Sequence, residues 1–228
     1  MDHSKRCALT LIALFAPLLH AGERQIDPTF LYRDPATVKE KHSDITTATC
    51  HYKPLFGQGD SDTSVVVGVA RYGEAIIDPK GECAPVQYPG EDQVYVILDG
   101  SASVKYETDT VPLKTEDYLY IPSTISHAAS NPSAKPLTVL VMGFRTKGFE
   151  PTQLPPHPLH ANIEDVPTNL VKGHPSSSLF RLLMGDVDSK RDRIAAGRVL
   201  TSSFSWKSHR VARTFPTITS AKRKSIWS

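Results

Sequence analysis

Apolar residues along the chain first gather into one unbroken run. The thirteen residues from Cys7 to Leu19 carry no charge, follow Lys5 and Arg6, and end at Leu19-His20-Ala21, a small-residue cleavage site. This is the pattern of a secretory signal peptide over residues 1–21. A bilayer core needs about twenty apolar residues, and Pro17 interrupts the run, so no membrane span is expected. Residues 22–62 are polar and irregular, an N-terminal arm with one helix candidate at 35–42, where Asp34 would be the N-cap and Pro35 the first helical position. From 63 to 146 the texture changes. Short apolar runs or alternations recur at 64–71, 74–77, 93–98, 102–106, 118–121 and 137–144, separated by turn residues such as Asp78-Pro79-Lys80-Gly81 and Asp99-Gly100. Many short strands at regular spacing predict an all-β antiparallel sandwich or barrel.

Residues 147–176 are rich in Pro and His and read as a linker. His157, His160 and His174 lack carboxylate or Cys partners at ligand spacing there, which favours solvated side chains over a metal site. Residues 178–184 and 194–204 are strand-like again. Two strands cannot bury a face by themselves, so 177–204 is expected to be the opening of an incomplete second β domain.

Charge sharpens this division. The chain has 26 Lys and Arg against 24 Asp and Glu, a net +2, but the excess sits at the ends. Residues 205–228 hold six bases and no acid, whereas 22–204 hold 18 basic and 23 acidic residues, a net −5. An acidic body without a Lys/Arg stripe interleaved with aromatics predicts no nucleic-acid partner. Export also changes the meaning of the cysteines. Cleavage after Ala21 removes Cys7 and leaves Cys50 and Cys83. They either close a loop of about 34 residues as a disulfide, worth roughly 3–4 kcal/mol, or remain two thiols. Spacing alone does not choose between these.

The segment 81–131 resembles the cupin superfamily, jelly-roll barrels that in many members hold a divalent metal through three His and one Glu. The family's first motif is G-x5-H-x-H-x3-E-x6-G. Gly81 and Gly100 stand at its glycines, while Gln87, Pro89 and Gln93 stand at the His, His and Glu positions. The second motif, G-x5-P-x-G-x2-H-x3-N, falls on Glu116, Pro122, Thr124, His127 and Asn131 with unbroken spacing; Pro122, His127 and Asn131 match, and both glycines are replaced. The resemblance implies an antiparallel jelly-roll barrel over 63–146; it allows a homodimer paired through sheet edges, and the sequence leaves the oligomeric state open. Only His127 keeps a ligand position, and amide oxygens and Pro are poor or absent donors for such metals, so no metal and no cofactor is expected in this barrel. If residue 93 faces inward, alternation turns Tyr95 and Ile97 inward and Val94, Val96 and Leu98 outward. Gln87, Gln93, Tyr95 and His127 would then form a neutral polar cluster inside the barrel, suited either to a small polar molecule or to an inert hydrated core.

The basic tail, 205–228, can be read in a second way. Codons formed from the third base of each residue and the first two of the next, starting at Phe204–Ser205, permit Phe-Met-Glu-Ile-Ala-Pro-Gly-Gly-Thr-Asn-Phe-Pro-His-His-His-Glu-Arg-Lys-Glu-Glu-Glu-His-Leu-Glu. That hidden sequence contains G-x5-H-x-H-x3-E with its metal ligands intact, which points to a frameshift near 203–205 in a gene for a two-barrel protein. The alternatives are a disordered basic tail or a poorly patterned edge of the barrel. The sequence thus predicts an exported cupin-like module, binding or structural and without catalytic residues. The competing expectation is a metal-dependent enzyme of oxygenase or isomerase type, acting on a small polar metabolite, with its divalent metal in a second barrel.

Overall fold

The computed structural model describes residues 31–61, 67–149, 154, 155, 157–175, 178–208 and 216–219. The signal-peptide segment, the start of the arm and most of the basic tail lie outside them. The strands all fall within one unit, Arg33–Ser228. The arm makes a single turn where a helix is predicted: the Thr37 and Val38 amides donate to the Asp34 carbonyl, and the Ala36 amide to the Asp34 carboxylate. Asp34 does cap this turn. The following residues, Lys39 to His42, then run alongside the first strand, with the Lys41 amide donating to the Tyr52 carbonyl, and no helix propagates.

Eight strands build the barrel: β1 (Cys50–Gly57), β2 (Val69–Ile77), β3 (Glu91–Asp99), β4 (Ser101–Tyr106), β5 (Asp109–Lys114), β6 (Asp117–Ile121), β7 (His127–Ser130) and β8 (Leu137–Arg145). Of the runs expected at 64–71 and 74–77, residues 64–66 lie outside the described residues, 67 and 68 form a turn, and 69–71 and 74–77 belong to one strand, β2, carried through Gly73. That glycine is required: a Cβ there would lie 2.4 Å from the Lys53 carbonyl oxygen and 2.6 Å from the Tyr52 hydroxyl. One sheet has the order β1-β2-β8-β3-β6-β9, with β9 (Leu159–Asn162) coming from the segment expected to be a linker. The facing sheet is β5-β4-β7. Beside β7, the segment 82–86 forms bridges Glu82 to Ser130 and Val86 to His127 and extends this second sheet. The result is an antiparallel jelly-roll arrangement of two sheets around an apolar core.

The central strands of the six-stranded sheet, β3, β6 and β8, are buried on both faces. On the inner side Tyr95, Ile97, Leu119, Ile121, Val139 and Val141 pack into the barrel. On the outer side Val94, Val96, Tyr118, Tyr120, Leu140 and Met142 pack against Leu183, Met184, Ile194 and Leu200 of the C-terminal strands. Strict alternation between two dry faces is why β3, β6 and β8 read as near-continuous apolar runs. The C-terminal strands are β10 (Thr168–Asn169), β11 (Ser178–Asp186), β12 (Ile194–Gly197), β13 (Ser202–Ser208) and β14 (Pro216–Thr219), and the run expected at 194–204 divides into β12 and β13. They form a five-stranded sheet in which β12 pairs parallel to β11 and the rest are antiparallel. These strands bury a face after all, by using the barrel's outer wall as the second layer. Two polar contacts fix the junction. The Tyr118 hydroxyl donates to the Leu183 carbonyl at 3.0 Å, and Arg198 donates to Asp92, which also accepts from the Tyr120 hydroxyl and the Ser123 amide.

Cys50 and Cys83 are joined in a disulfide with their Cα atoms 5.0 Å apart. It ties β1, the edge of one sheet, to the segment 82–86 at the edge of the other, and so closes the barrel seam. With its ends 33 residues apart in sequence, the bond should stabilise the fold by about 3–4 kcal/mol through the unfolded chain. Replacing both cysteines with serine should lower the urea-denaturation free energy by that amount, and reduction of the wild type should reproduce most of the loss.

Candidate functional site

The polar interior lies at the end of the barrel where β2, β3 and β8 meet the arm. Tyr95 and Gln93 point inward from β3, and His127 points inward from β7. Gln93 is 1% and His127 2% exposed. The His127 ring is held at both nitrogens. Nδ1 lies 2.9 Å from the Ile125 carbonyl oxygen, which can only accept, so Nδ1 carries the proton; Nε2 then accepts from the Tyr95 hydroxyl at 3.1 Å. Burial pushes the imidazole pKa below its ordinary value, with the nearby Arg71 guanidinium acting in the same direction, and the ring is neutral. Burial likewise pushes the Tyr95, Tyr88 and Tyr52 hydroxyls upward, which keeps them protonated as donors.

Gln87, expected in this cluster, is not there. Its side chain is exposed and its amide donates to the Thr124 carbonyl. A different set of residues completes the site. Arg71 of β2, only 5% exposed, donates from Nε to Glu91 Oε2 at 3.1 Å and from Nη1 to both Asp44 carboxylate oxygens at 3.0 Å. Nη1 also reaches the Tyr88 hydroxyl at 2.8 Å, and the guanidinium carbon lies 3.7 Å from the Tyr88 ring centroid, a cation–π stack in a dry setting. The Tyr88 and Tyr95 rings both pack edge-on against His127. Gln93 Nε2 donates to Glu91 Oε2 at 3.1 Å. Its Oε1 and the Tyr52 hydroxyl are buried without a partner among the described residues.

Local backbone makes this convergence fit. Gly143 of β8 is the register partner of both Arg71 and Gln93. A Cβ at Gly143 would stand 2.6 Å from Arg71 Cγ and 2.7 Å from Gln93 Nε2, so only glycine lets the two side chains cross that strand. Between the sheets, the cavity lined by Ile45, Val86, Tyr95 and Val141 measures about 10 Å³, room for about one water.

The donors present do not fit a divalent metal. Gln87 faces the Thr124 turn, Pro89 has no donor, Gln93 offers one amide oxygen, and the His127 lone pair is taken by Tyr95. Among the described residues no three of His, Cys, Asp and Glu gather into a group able to hold a metal ion. The turns around the motif nevertheless keep the family's geometry. Glu116 and Thr124, standing where the motif has glycine, adopt φ of +71° and +75°. Asn131 donates to the carbonyls of Ile77, Asp78 and Lys135 and knits the loop before β8.

The barrel is an all-β double-sheet structure with a polar inner end, and sequence comparison identifies this part of the chain. Residues 73–143 match the cupin domain family. The barrel over these residues is therefore a cupin domain. Among solved structures, the putative glyoxylate induced protein of Pseudomonas aeruginosa aligns at 12% identity over 73% of this chain and 58% of its own, with a TM-score of 0.57. YhhW of Escherichia coli aligns at 11% identity over 76% of this chain and 69% of its own, with a TM-score of 0.53. The same bacterial pirin has been solved with nickel(II), at 9% identity and a TM-score of 0.52. At these identities the likeness is one of fold. No curated protein sequence matches the chain. Among the described residues no helix is long and apolar enough to cross a membrane.

The state of His127 sets a pH dependence. The folded barrel binds its proton less readily than the unfolded chain, where His titrates near about 6.5, so the unfolded state carries more protons below that pH. Stability contributed by neutral His127 is complete above about pH 6.5 and is lost as pH falls from there towards the depressed native value. Urea denaturation of wild type and His127→Gln from pH 8 to pH 5 should show a shallower decline in the variant.

Proposed function

We propose that this chain is an exported, metal-free cupin module whose barrel binds a small polar molecule at the Arg71–His127 cluster. The observation that carries the reading is a buried, charged and aromatic site with two hydrogen-bonding atoms, Gln93 Oε1 and the Tyr52 hydroxyl, that have no partner among the described residues. Buried polar groups are nearly always paired, and exceptions mark ligand or water positions. Export is supported by the charged-then-apolar leader and by the disulfide between Cys50 and Cys83, a bond characteristic of oxidising compartments. With no nucleophile or acid–base pair in the cluster that faces an open space, binding suits the geometry better than catalysis.

Two measurements test the reading. Metal analysis of protein purified after export should find iron, manganese, zinc and nickel far below one equivalent. A melting screen against small polar acids, amides and polyols should find compounds that raise the transition temperature. A stoichiometric metal lost on His127→Ala, or a screen with no stabilising compound, would overturn it. A second reading, favoured by the intact hidden-frame motif, places the family's metal chemistry in a second barrel encoded in the shifted frame. Genomic sequence across codons 195–228 decides it: a uniform first frame with no continuing motif in the second removes that reading.

A further inference from the structure

We infer that the Arg71 end of the barrel is the binding site of a small hydroxy-carboxylate, and that Asp44 fills the carboxylate position from within the chain. This rests on the barrel being a binding module and names its ligand class. The two carboxylates on Arg71 have different standing. Glu91 belongs to β3, one strand of the rigid sheet, and meets Nε. Asp44 comes from the arm, outside either sheet, with its side chain 37% exposed at the mouth, and meets Nη1 through both oxygens. Exchanging Asp44 for a carboxylate from solution leaves the charge on the buried guanidinium balanced, so the swap carries no penalty of an unpaired ion.

Asp44 is also an incomplete occupant. The Gln93 amide is oriented by its Nε2 donation to Glu91, which leaves Oε1 as a buried acceptor that needs a donor. An ionised carboxylate has no donor to give. The Tyr52 hydroxyl, 4% exposed, lacks a partner as well. A ligand bearing a hydroxyl beside its carboxylate could place the acid on Arg71, donate to Gln93 Oε1 and accept from Tyr52. Ile45, which follows Asp44, lines the cavity of about 10 Å³ between the sheets. Rotation of the Asp44 side chain away from Arg71 would therefore vacate the carboxylate position on the guanidinium beside that cavity, with Ile45 staying in the core. Because Asp44 is tethered, its effective concentration is in the millimolar range, and a free acid competes against it.

The test is calorimetric titration of the full chain with glycolate and lactate, with acetate and propionate as acids lacking the hydroxyl, and ethylene glycol as the neutral comparator. Wild type, Asp44→Asn and Gln93→Leu are compared, each first shown by its melting transition to be folded. The expected result is that Asp44→Asn binds glycolate or lactate about tenfold or more tightly than wild type, and that Gln93→Leu loses the preference for hydroxy acids over acetate and propionate. Carboxylate binding unchanged by Asp44→Asn overturns the surrogate role. Binding of the diol as tightly as the acids overturns the ligand class while the barrel remains a binding module. No heat from any compound in any variant, together with an empty melting screen, overturns both.

Discussion

Strands β3, β6 and β8 bury side chains on both faces of one sheet, and most of the architecture follows from that double burial. A strand exposed on one side would tolerate polar residues at every second position. Here Tyr118 and Tyr120 are as deeply covered as Leu119 and Ile121, because the C-terminal strands roof the outer wall. The roof is held by directional contacts as well as area. Asp92 faces outward from β3 into that apolar layer, where burial raises its pKa and the Arg198 guanidinium, Ser123 amide and Tyr120 hydroxyl counter the shift. A lone carboxylate there would be strongly unfavourable, and Arg198 supplies the missing charge from the loop after β12. The same β3 therefore carries one ionic contact outward, through Asp92, while its neighbours Glu91 and Gln93 serve the inner cluster.

The inner cluster poses the complementary problem of placing a cation inside a barrel. In the metal-holding members of the family, by resemblance, imidazoles and a carboxylate surround a divalent ion. In this chain the buried positive charge is the Arg71 guanidinium, held by Asp44 and Glu91 and stacked on Tyr88. The substitution is coherent. With Arg71 already present, a divalent ion nearby would meet like charge, and a neutral His127 accepting from Tyr95 is the protonation state that this field favours. Gly143 is the steric condition for the arrangement, since the guanidinium stem and the Gln93 amide cross its strand where any Cβ would stand.

How much of this was legible in the sequence depended on the range of the interaction. Alternation along β3 correctly separated Tyr95 and Ile97 from Val94 and Val96, because strand parity is local. Motif spacing found His127 and Asn131 for the same reason. Several strands left no such signal, among them β1 and β5. β1 carries Pro54 at a register shift, and β5 carries Pro112 within an edge strand, so both read as loop although edges tolerate proline. The charged half of the site was illegible. Arg71 lies 27 residues from Asp44, 20 from Glu91 and 17 from Tyr88, and each is an ordinary polar residue until the barrel closes. Gln87 was misplaced because motif position was taken for direction. It precedes β3, outside the alternating run, and its amide turns to the Thr124 backbone.

The motif frame persists without its chemistry. Glu116 and Thr124 keep a left-handed backbone that glycine adopts freely and that is sterically unfavourable for other residues, most of all for β-branched Thr124. Such strain survives only where surrounding contacts overdetermine the turn. Around Thr124 they do: its amide donates to the Tyr88 carbonyl, its carbonyl accepts from Gln87, and the Ile125 amide closes on Pro122. These bonds fix the loop carrying Tyr88 beneath the Arg71 guanidinium, and Ile125 in turn holds the His127 ring through its carbonyl. A turn shaped in the wider family around glycine and metal ligands is here retained as the mount for an arginine site. Its residual strain is offset by the same hydrogen bonds that orient Tyr88 and His127 within the barrel.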